Sequence, residues 1–172
     1  MRKVGFKKLT TEAFAKYGSF GNILAPEGQP LGAQREDIIT FYPDMVQQGL
    51  GCGTTASYSA CIVKQRPWVI VNTECHDYCG ETILITGGDY LMHVATARGA
   101  GDMPFDDIEV FLVPEGTVIN VRPGVWHQAG FPYQCDQVNI LCVLPQRAYA
   151  NDCNFVEIPQ NKQIEVEDKQ ID

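Results

Sequence analysis

Short apolar runs separated by turn residues dominate the chain from residue 57 onward. The runs share lengths typical of strands and lie at residues 57–64, 67–73, 82–86, 89–97, 108–113, 117–121 and 137–144. Gly, Pro, Asn or Asp stands between nearly all of them, and this combination predicts short β-strands joined by tight connections. Such regular spacing favours an antiparallel sandwich or barrel over a fold of alternating strands and helices.

The part of the chain before these runs follows a different pattern. Residues 10–17 predict a short helix, because two threonines at its start can cap it and Gly18 can end it. Residues 25–53 are rich in Gly, Pro and Gln, which predicts loops with one short strand at 38–42. The N-terminal third is therefore expected to contribute little to the barrel.

Two further local patterns complete the expected architecture. The Gly-Gly-Asp sequence at 87–89 predicts a tight hairpin between its flanking runs. Residues 161–172 are mostly charged or amide, which predicts a solvated polar tail. We therefore expect one domain over residues 1–160, with its barrel core at about 55–145.

Composition and charge argue against two classes of binding partner. The formal net charge is −8, which argues against nucleic acid and anionic membranes, since both attract basic surfaces. No run approaches the roughly 20 apolar residues that a membrane span needs. The basic residues at 1–3 are not followed by an apolar stretch, so we expect no signal peptide and a cytoplasmic protein.

The cysteines raise one alternative. There are seven, an odd number, and in a chain without an export signal they are expected to be reduced thiols. Cys75 and Cys79 flank His76, an arrangement that a thiolate zinc site would also use. However, the spacing lacks the paired Cys-x-x-Cys of structural zinc sites.

The candidate chemistry gathers in two segments that hold two of the three histidines. Glu74 and His76 are two residues apart, so in a strand their side chains point to the same face. Glu81 opens the next apolar run, and His127 follows a Pro-Gly turn about fifty residues later. Two imidazoles and two carboxylates predict a nitrogen/oxygen site for a divalent metal ion. This set of ligands does not distinguish among Zn, Ni, Mn and Fe.

The spacing of these residues resembles the two motifs of the cupin superfamily. Glu74 and His76 are followed after four residues by Glu81, and after six more by a glycine, with Glu74 standing where a histidine is usual. Gly116 and the Pro-Gly-Val-Trp-His sequence at 123–127 match the second motif in outline. This resemblance implies an all-β, double-stranded β-helix, the jelly-roll barrel of cupins, with a short N-terminal helix.

More narrowly, the chain resembles the ureidoglycolate lyase family, also called ureidoglycolate hydrolase. The segments that carry this resemblance are residues 9–18, 74–88, 124–127 and 151–157. The chain differs from the family pattern at four places near the supposed site, which are Cys75, Glu81, Arg122 and Gln128. The resemblance implies a cupin barrel, often dimeric, that cleaves ureidoglycolate to glyoxylate and urea. Open edges of an antiparallel sheet also favour a homodimer.

Ureidoglycolate carries a carboxylate, a hydroxyl and a ureido group on one carbon, and its cleavage requires a proton to move from the hydroxyl to the departing nitrogen. A divalent metal that binds the carboxylate and hydroxyl would lower the pKa of the hydroxyl. The candidate catalytic residues are Glu74, Glu81 and His127. Whichever of the two glutamates does not bind the metal can carry the proton from the hydroxyl to the nitrogen.

The candidates for substrate binding are the basic side chains and the third histidine, His93. Arg122 lies nearest the second motif, and an arginine fork suits a substrate carboxylate. His93 lies in an apolar run that can line the barrel, although a buried histidine is more often a core residue. The other cations that suit a small carboxylate substrate are Lys64, Arg66 and Arg98.

Two other functions use the same residues. A different metal-dependent cupin enzyme, an isomerase or hydrolase, would act on another small hydroxy acid or sugar acid. A non-catalytic cupin would bind such a ligand without turning it over. The sequence alone leaves these alternatives open.

Overall fold

The computed structural model describes residues 1–31, 38–98 and 102–171, which form two β-sheets with little helix. In chain order the elements are β1 (Arg2–Lys8), α1 (Thr11–Phe14), β2 (Gly18–Asn22), β3 (Ala56–Lys64), β4 (Val69–Ile70), β5 (Asn72–Cys75), β6 (Glu81–Thr86), β7 (Asp89–Ala95), β8 (Glu109–Val113), β9 (Thr117–Val121), β10 (Trp126–His127), β11 (Phe131–Tyr133), β12 (Gln137–Pro145), α2 (Ala148–Asn151), β13 (Asn154–Glu157) and β14 (Ile164–Ile171). In the described part of the chain, no helix has the length and apolar character to cross a bilayer.

The smaller sheet has five antiparallel strands in the order β2-β9-β6-β12-β3. Its strands alternate in burial along their length, as the period of two requires for a sheet with one covered face. In β6, Glu81, Ile83 and Ile85 are buried, while Thr86 at the strand end is exposed. This inner face packs against the larger sheet and carries Glu81 toward it.

The larger sheet has nine strands and curls until it closes on itself. Its order is β13-β5-β10-β7-β8-β1-β14-β4, with β11 beside β7. Only Val71 separates β4 from β5 in the chain, and these two strands stand near opposite ends of the hydrogen-bonded order. The continuous chain through Val71 therefore joins the two ends, and the enclosed interior forms a second core.

The two cores lie on opposite faces of β7. Tyr90, Met92 and Val94 pack into the first core, between the two sheets. Leu91 and Ala95 pack into the second, inside the curled sheet. Because both faces are covered, β7 has a nearly continuous apolar sequence. Each fully buried large apolar side chain in these cores contributes roughly 1.5–3 kcal/mol.

The predicted architecture is confirmed in its main features. The protein is an all-β jelly-roll barrel, and each apolar run of the sequence contains at least one strand. The short N-terminal helix is also present as α1, where the Thr10 side chain accepts a hydrogen bond from the backbone N–H of Ala13 at 3.2 Å. This is the N-cap that the threonine at its start predicted.

Two local predictions were wrong. Residues 38–42 form no strand, and Ile38, Ile39 and Phe41 are more than half exposed, so their apolar character does not reflect sheet packing. The turn at 87–88 joins β6 in the smaller sheet to β7 in the larger one, and it is not a hairpin between paired strands. Gly87 and Gly88 have φ of 86° and 142°, a backbone that lets the chain pass between the sheets.

The predicted polar tail was also wrong, because β14 occupies most of it. This strand pairs in parallel with β1 and antiparallel with β4. Ile164 and Val166 point into the second core, while Glu165 and Glu167 lie 3.7 and 3.3 Å from the Lys3 ammonium. The charged residues are thus the outer face of a half-buried strand.

Candidate metal centre

The four predicted ligands meet where the two sheets face each other. In the larger sheet, β10 pairs with β5 so that His127 stands opposite Glu74. His76 follows β5 directly, in the turn that leads to the smaller sheet. Glu81 is the first residue of β6 and projects from the smaller sheet. Each ligand therefore lies on or beside a strand that the barrel holds in place.

The geometry is compact enough for a single ion. One potential ligand atom from each of Glu74, His76, Glu81 and His127 lies within 4.8 Å of the others. Oε2 of Glu81 lies 2.7 Å from Nε2 of His127 and 3.3 Å from Nε2 of His76. His76, Glu81 and His127 are buried, whereas Glu74 is half-buried. The predicted four-residue cluster is therefore present.

Backbone carbonyls fix the orientation of both imidazoles. Nδ1 of His127 donates to the Val125 carbonyl at 2.9 Å, and Nδ1 of His76 donates to the Asp152 carbonyl. A carbonyl only accepts, so in each neutral ring the proton is on Nδ1 and the Nε2 lone pair faces the site. This second contact is the usual way in which proteins orient metal-binding histidines.

One unpaired nitrogen and the charge of the cluster favour a bound cation. Nε2 of His76 is buried without a hydrogen-bond partner among the described residues. With both Nδ1 atoms protonated, two imidazole lone pairs point at an ionised carboxylate, an arrangement that a positive charge between them relieves. Two nitrogens and two carboxylates suit zinc, nickel, manganese or iron. The residues present therefore fit a divalent metal.

The protonation state of the site follows from the same contacts. Burial alone would raise the pKa of Glu81, but His127 and His76 outweigh burial and lower this pKa to about 2. Burial alone would lower the pKa of each histidine, but Glu81 outweighs it and both pKa values are raised. The Glu81 carboxylate thus stays ionised at neutral pH, and protons compete with any metal for the two imidazoles.

A cavity of about 290 Å³ opens beside this cluster, close to the lower end of the roughly 300–1,000 Å³ usual for small-molecule sites. Its wall combines site residues with apolar and weakly polar side chains, which are Cys61, Glu74, Glu81, Ile83, Tyr90, Met92, His127, Gln128, Ala129, Ile140, Cys142 and Tyr149. The enclosed space suits a small polar molecule that reaches the ligand cluster directly.

The two predicted substrate-binding residues lie elsewhere. His93 faces away from the cavity, where its Nε2 donates to the Thr73 hydroxyl at 3.3 Å. Burial, with smaller contributions from His127 and Arg66, lowers the pKa of His93 to about 3, so it is a neutral core residue. Arg122 is exposed and does not line the cavity. Neither residue is placed to hold a substrate carboxylate.

Among the other cations, Arg66 is exposed and lines a groove that shares Cys61 and Ala129 with the cavity. Its Nη2 donates to the carbonyl of Ala129 at 2.8 Å, and its guanidinium stacks 4.6 Å from the centre of the Phe131 ring. Ala129 lines both the cavity and a neighbouring groove that holds Arg66 and Lys64. Arg98 instead pairs with Asp107 at 2.8 Å, away from the site.

Several site residues were not predicted from sequence. Tyr149 comes from α2 and packs its ring 6.1 Å from that of His76, while Cys61 and Cys142 come from neighbouring strands of the smaller sheet. The alternation of β3 and β12 contained the signal for the two cysteines, since both fall on the inward-facing positions. No comparable signal marked Tyr149.

The position of Cys75 argues against a zinc site with thiolate ligands. This side chain is fully buried in the second core, on the face of β5 opposite to Glu74, and burial raises the pKa of its thiol to about 11. We therefore expect Cys75→Ser to retain the bound ion at wild-type stoichiometry, as measured by elemental analysis. Loss of the ion in this variant, with retention in His127→Ala, would restore the thiolate interpretation.

The sequence model of the family described as ureidoglycolate lyase matches residues 1–167. No curated protein matches the sequence. Among solved structures, a dTDP sugar isomerase from Desulfovibrio desulfuricans G20 is 14% identical, with a TM-score of 0.45 over 84% of this chain and 83% of the other.

A second solved structure, RmlC from Streptococcus suis in complex with dTDP-D-xylose, is 13% identical, with a TM-score of 0.34 over 53% of this chain and 44% of the other. Structural similarities this distant do not bear on function, so the assignment rests on the family match. That match extends from the first strand into β14 and includes every residue of the metal cluster. The chain belongs to the ureidoglycolate lyase family.

Proposed function

We propose that this protein is a metal-dependent lyase that cleaves ureidoglycolate to glyoxylate and urea. The observation that carries the proposal is the group of two imidazoles and two carboxylates, three of them buried and one half-buried, beside a cavity of about 290 Å³. Family membership supports the choice of substrate. The cavity suits a molecule of this size, and the donor set suits an ion that binds oxygen ligands.

The four ligand residues divide into two roles. His76, Glu81 and His127 are buried and converge on one point, so we assign them to the metal. A divalent ion held there would polarise the hydroxyl and carboxylate of the substrate. Glu74 is half-buried and lines the cavity, which places its carboxylate beside the substrate and makes it the candidate base.

The proposed reaction requires one proton to move in two steps. The carboxylate of Glu74 takes the proton from the substrate hydroxyl, and the oxygen forms a carbonyl as the bond between carbon and the urea nitrogen breaks. The carboxylic acid of Glu74 then gives the proton to the departing nitrogen. The products are glyoxylate and urea, and Glu74 returns to its ionised form, so atoms and charge balance.

We assign the substrate carboxylate to Arg66, in place of Arg122 from the sequence analysis. Arg66 is exposed in a groove that shares Cys61 and Ala129 with the cavity, and its guanidinium is held by the Ala129 carbonyl and the Phe131 ring. Replacing Arg66 by Gln should raise KM for ureidoglycolate roughly tenfold to hundredfold with little change in metal content, since a hydrogen bond to a charged group contributes about 1.5–3 kcal/mol.

Steady-state kinetics on Arg66→Gln would be compared with Arg122→Gln, which removes an exposed cation outside the cavity. The control should keep the wild-type KM. An unchanged KM in Arg66→Gln would contradict this assignment, and a raised KM in the Arg122 variant would restore the prediction from sequence.

The activity itself is tested by incubating metal-loaded protein with ureidoglycolate and following glyoxylate. We expect release well above the spontaneous rate, with loss of the excess in protein stripped by chelator and recovery when the ion is restored. Release no faster than the spontaneous rate, with any of the four candidate metals, would reject the proposed function.

A second function is favoured by the residues in which this chain departs from the family. Gln128 lines the cavity where the family resemblance implies a histidine, and Glu81 stands where it implies a glutamine. A different metal-dependent cupin enzyme would turn over another small hydroxy acid or keto sugar. A panel of these compounds, assayed for turnover and for binding by calorimetry, distinguishes this enzyme from a cupin that only binds.

We also propose a cytoplasmic homodimer. Strand β3 is an open edge of the smaller sheet, and the outer face it shares with β12 exposes Tyr58, Ile62 and Leu141 by 70%, 62% and 40%. Apolar side chains beside an unpaired edge favour association with a second copy. Light scattering should give a dimer mass at micromolar concentration, and a monomer mass for Ile62→Glu; a wild-type monomer would contradict the proposal.

A further inference from the structure

The segment Asp152, Cys153 and Asn154 contacts the metal cluster without supplying a ligand. It lies at the start of β13, which pairs with β5 so that Asn154 stands opposite Cys75. The family resemblance includes these residues, yet neither the metal nor the proposed chemistry requires their side chains. The hydrogen bonds of these three residues indicate what they contribute to the site.

Asp152 holds the loop that carries His76 at three points. Its two carboxylate oxygens accept the backbone N–H groups of Asp77 at 2.8 Å and Tyr78 at 3.0 Å. One of these oxygens also accepts the thiol of Cys79 at 3.3 Å. The backbone carbonyl of the same residue accepts Nδ1 of His76. A single residue therefore ties down the loop and orients the imidazole that the loop carries.

The next two residues, Cys153 and Asn154, hydrogen-bond to a side chain on β5 and to one in the loop that follows it. The thiol of Cys153 donates to Oε2 of Glu74 at 3.2 Å. The amide of Asn154 donates to Oδ2 of Asp77 at 2.9 Å. Strand β13 begins at Asn154 and lies at the end of the larger sheet, where its one paired neighbour among the described residues is β5. The position of β13 therefore bears directly on β5, the strand that carries Glu74.

We infer that Asp152 is a positioning residue for the metal site, acting through the His76 loop. By holding residues 77–79 against β13, its carboxylate keeps the Asp152 carbonyl in register with Nδ1 of His76. The ring then presents its unprotonated Nε2 to the site before the metal arrives. Outer partners of this kind typically change metal affinity by 10–100-fold when removed. The inference rests on the proposed metal site.

The test measures binding of Co²⁺ alone to chelator-stripped protein, followed by visible absorption, without ureidoglycolate. Asp152→Ala should weaken Co²⁺ binding by about 10–100-fold and alter the absorption bands, because the His76 ring is no longer held. Asp152→Asn keeps one acceptor oxygen for the loop and should lie between Asp152→Ala and the wild type.

The matched control is Asp89→Ala. The Asp89 carboxylate also accepts a backbone N–H, from Glu115 at 2.9 Å, but it lies away from the cluster. Its removal should lower the melting temperature while leaving Co²⁺ affinity within about threefold. If Asp152→Ala does not fold, the affinity of Asp152→Asn decides the question.

Four outcomes separate this inference from the proposed activity. Wild-type affinity and spectrum in both Asp152 variants would overturn it, as would wild-type protein that binds no Co²⁺. An affinity loss of the same size in Asp89→Ala would also overturn it, by showing a general effect of stability. Co²⁺ binding that depends on Asp152, in a protein that releases no glyoxylate, would support the inference and reject the lyase function.

Discussion

Replacing His127 with alanine should remove the bound divalent ion and leave the fold intact. Nε2 of this residue lies 2.7 Å from Oε2 of Glu81, and the Val125 carbonyl holds the ring in the orientation that presents Nε2 to the site. Losing a direct ligand should cost more than the roughly 10–100-fold typical of outer partners. Elemental analysis should therefore fall from about one ion per chain to a small fraction of that.

The fold should survive because both cores are held by apolar burial, which does not depend on the ion. Far-ultraviolet circular dichroism of His127→Ala should match that of the wild type. Gln128→Ala is a suitable control, since Gln128 lines the same cavity, is not one of the four clustered residues, and accepts a hydrogen bond from the neighbouring Ala129 N–H. A full equivalent of metal in His127→Ala would refute the ligand assignment.

The ligand cluster could be predicted from sequence because three of its residues lie within eight positions of the chain and the fourth belongs to a recognisable second motif. Glu74 and His76 share a face through the two-residue period of a strand and the turn after it, and motif spacing supplied Glu81 and His127. These features depend on few residues at fixed offsets. The pairing of His127 with Glu74 then follows from two strands meeting in one sheet.

The residue that we propose for substrate binding, Arg66, could not be predicted in this way. Arg122 is near the second motif in sequence, yet its side chain is exposed outside the cavity. Arg66 precedes the first motif by eight residues and bonds to the carbonyl of Ala129, a cavity-lining residue 63 positions later. Nearness along a chain does not determine the direction of a loop side chain, so only the tertiary structure distinguishes these arginines.

The two terminal strands show a second limit of prediction from sequence. β14 pairs in parallel with β1, a contact between the two ends of the chain that no local pattern specifies. Its composition is mostly charged, so averaging over the segment predicted a solvated tail. The alternation of Ile164 and Val166 with two glutamates was nevertheless present. Half-buried strands are better detected from alternation than from mean polarity.

Replacing Glu74 with glutamine should separate the base from the metal ligands. Glutamine preserves the shape of the side chain and an oxygen for the Cys153 thiol, but it cannot take a proton from the substrate. We expect metal content to stay near one ion per chain while kcat falls by roughly 10²–10⁴, the contribution typical of general acid–base catalysis. Elemental analysis and steady-state kinetics on the same sample measure both effects.

Glu81→Gln is the matched comparison, because it makes the same chemical change at the carboxylate between the two imidazoles. That variant should lose the ion, since a neutral amide cannot balance the charge of a divalent cation as the carboxylate does. If Glu74→Gln also loses the ion, Glu74 is a fourth ligand and another group must move the proton. If it keeps both the ion and wild-type kcat, the carboxylate of Glu74 takes no part in the chemistry.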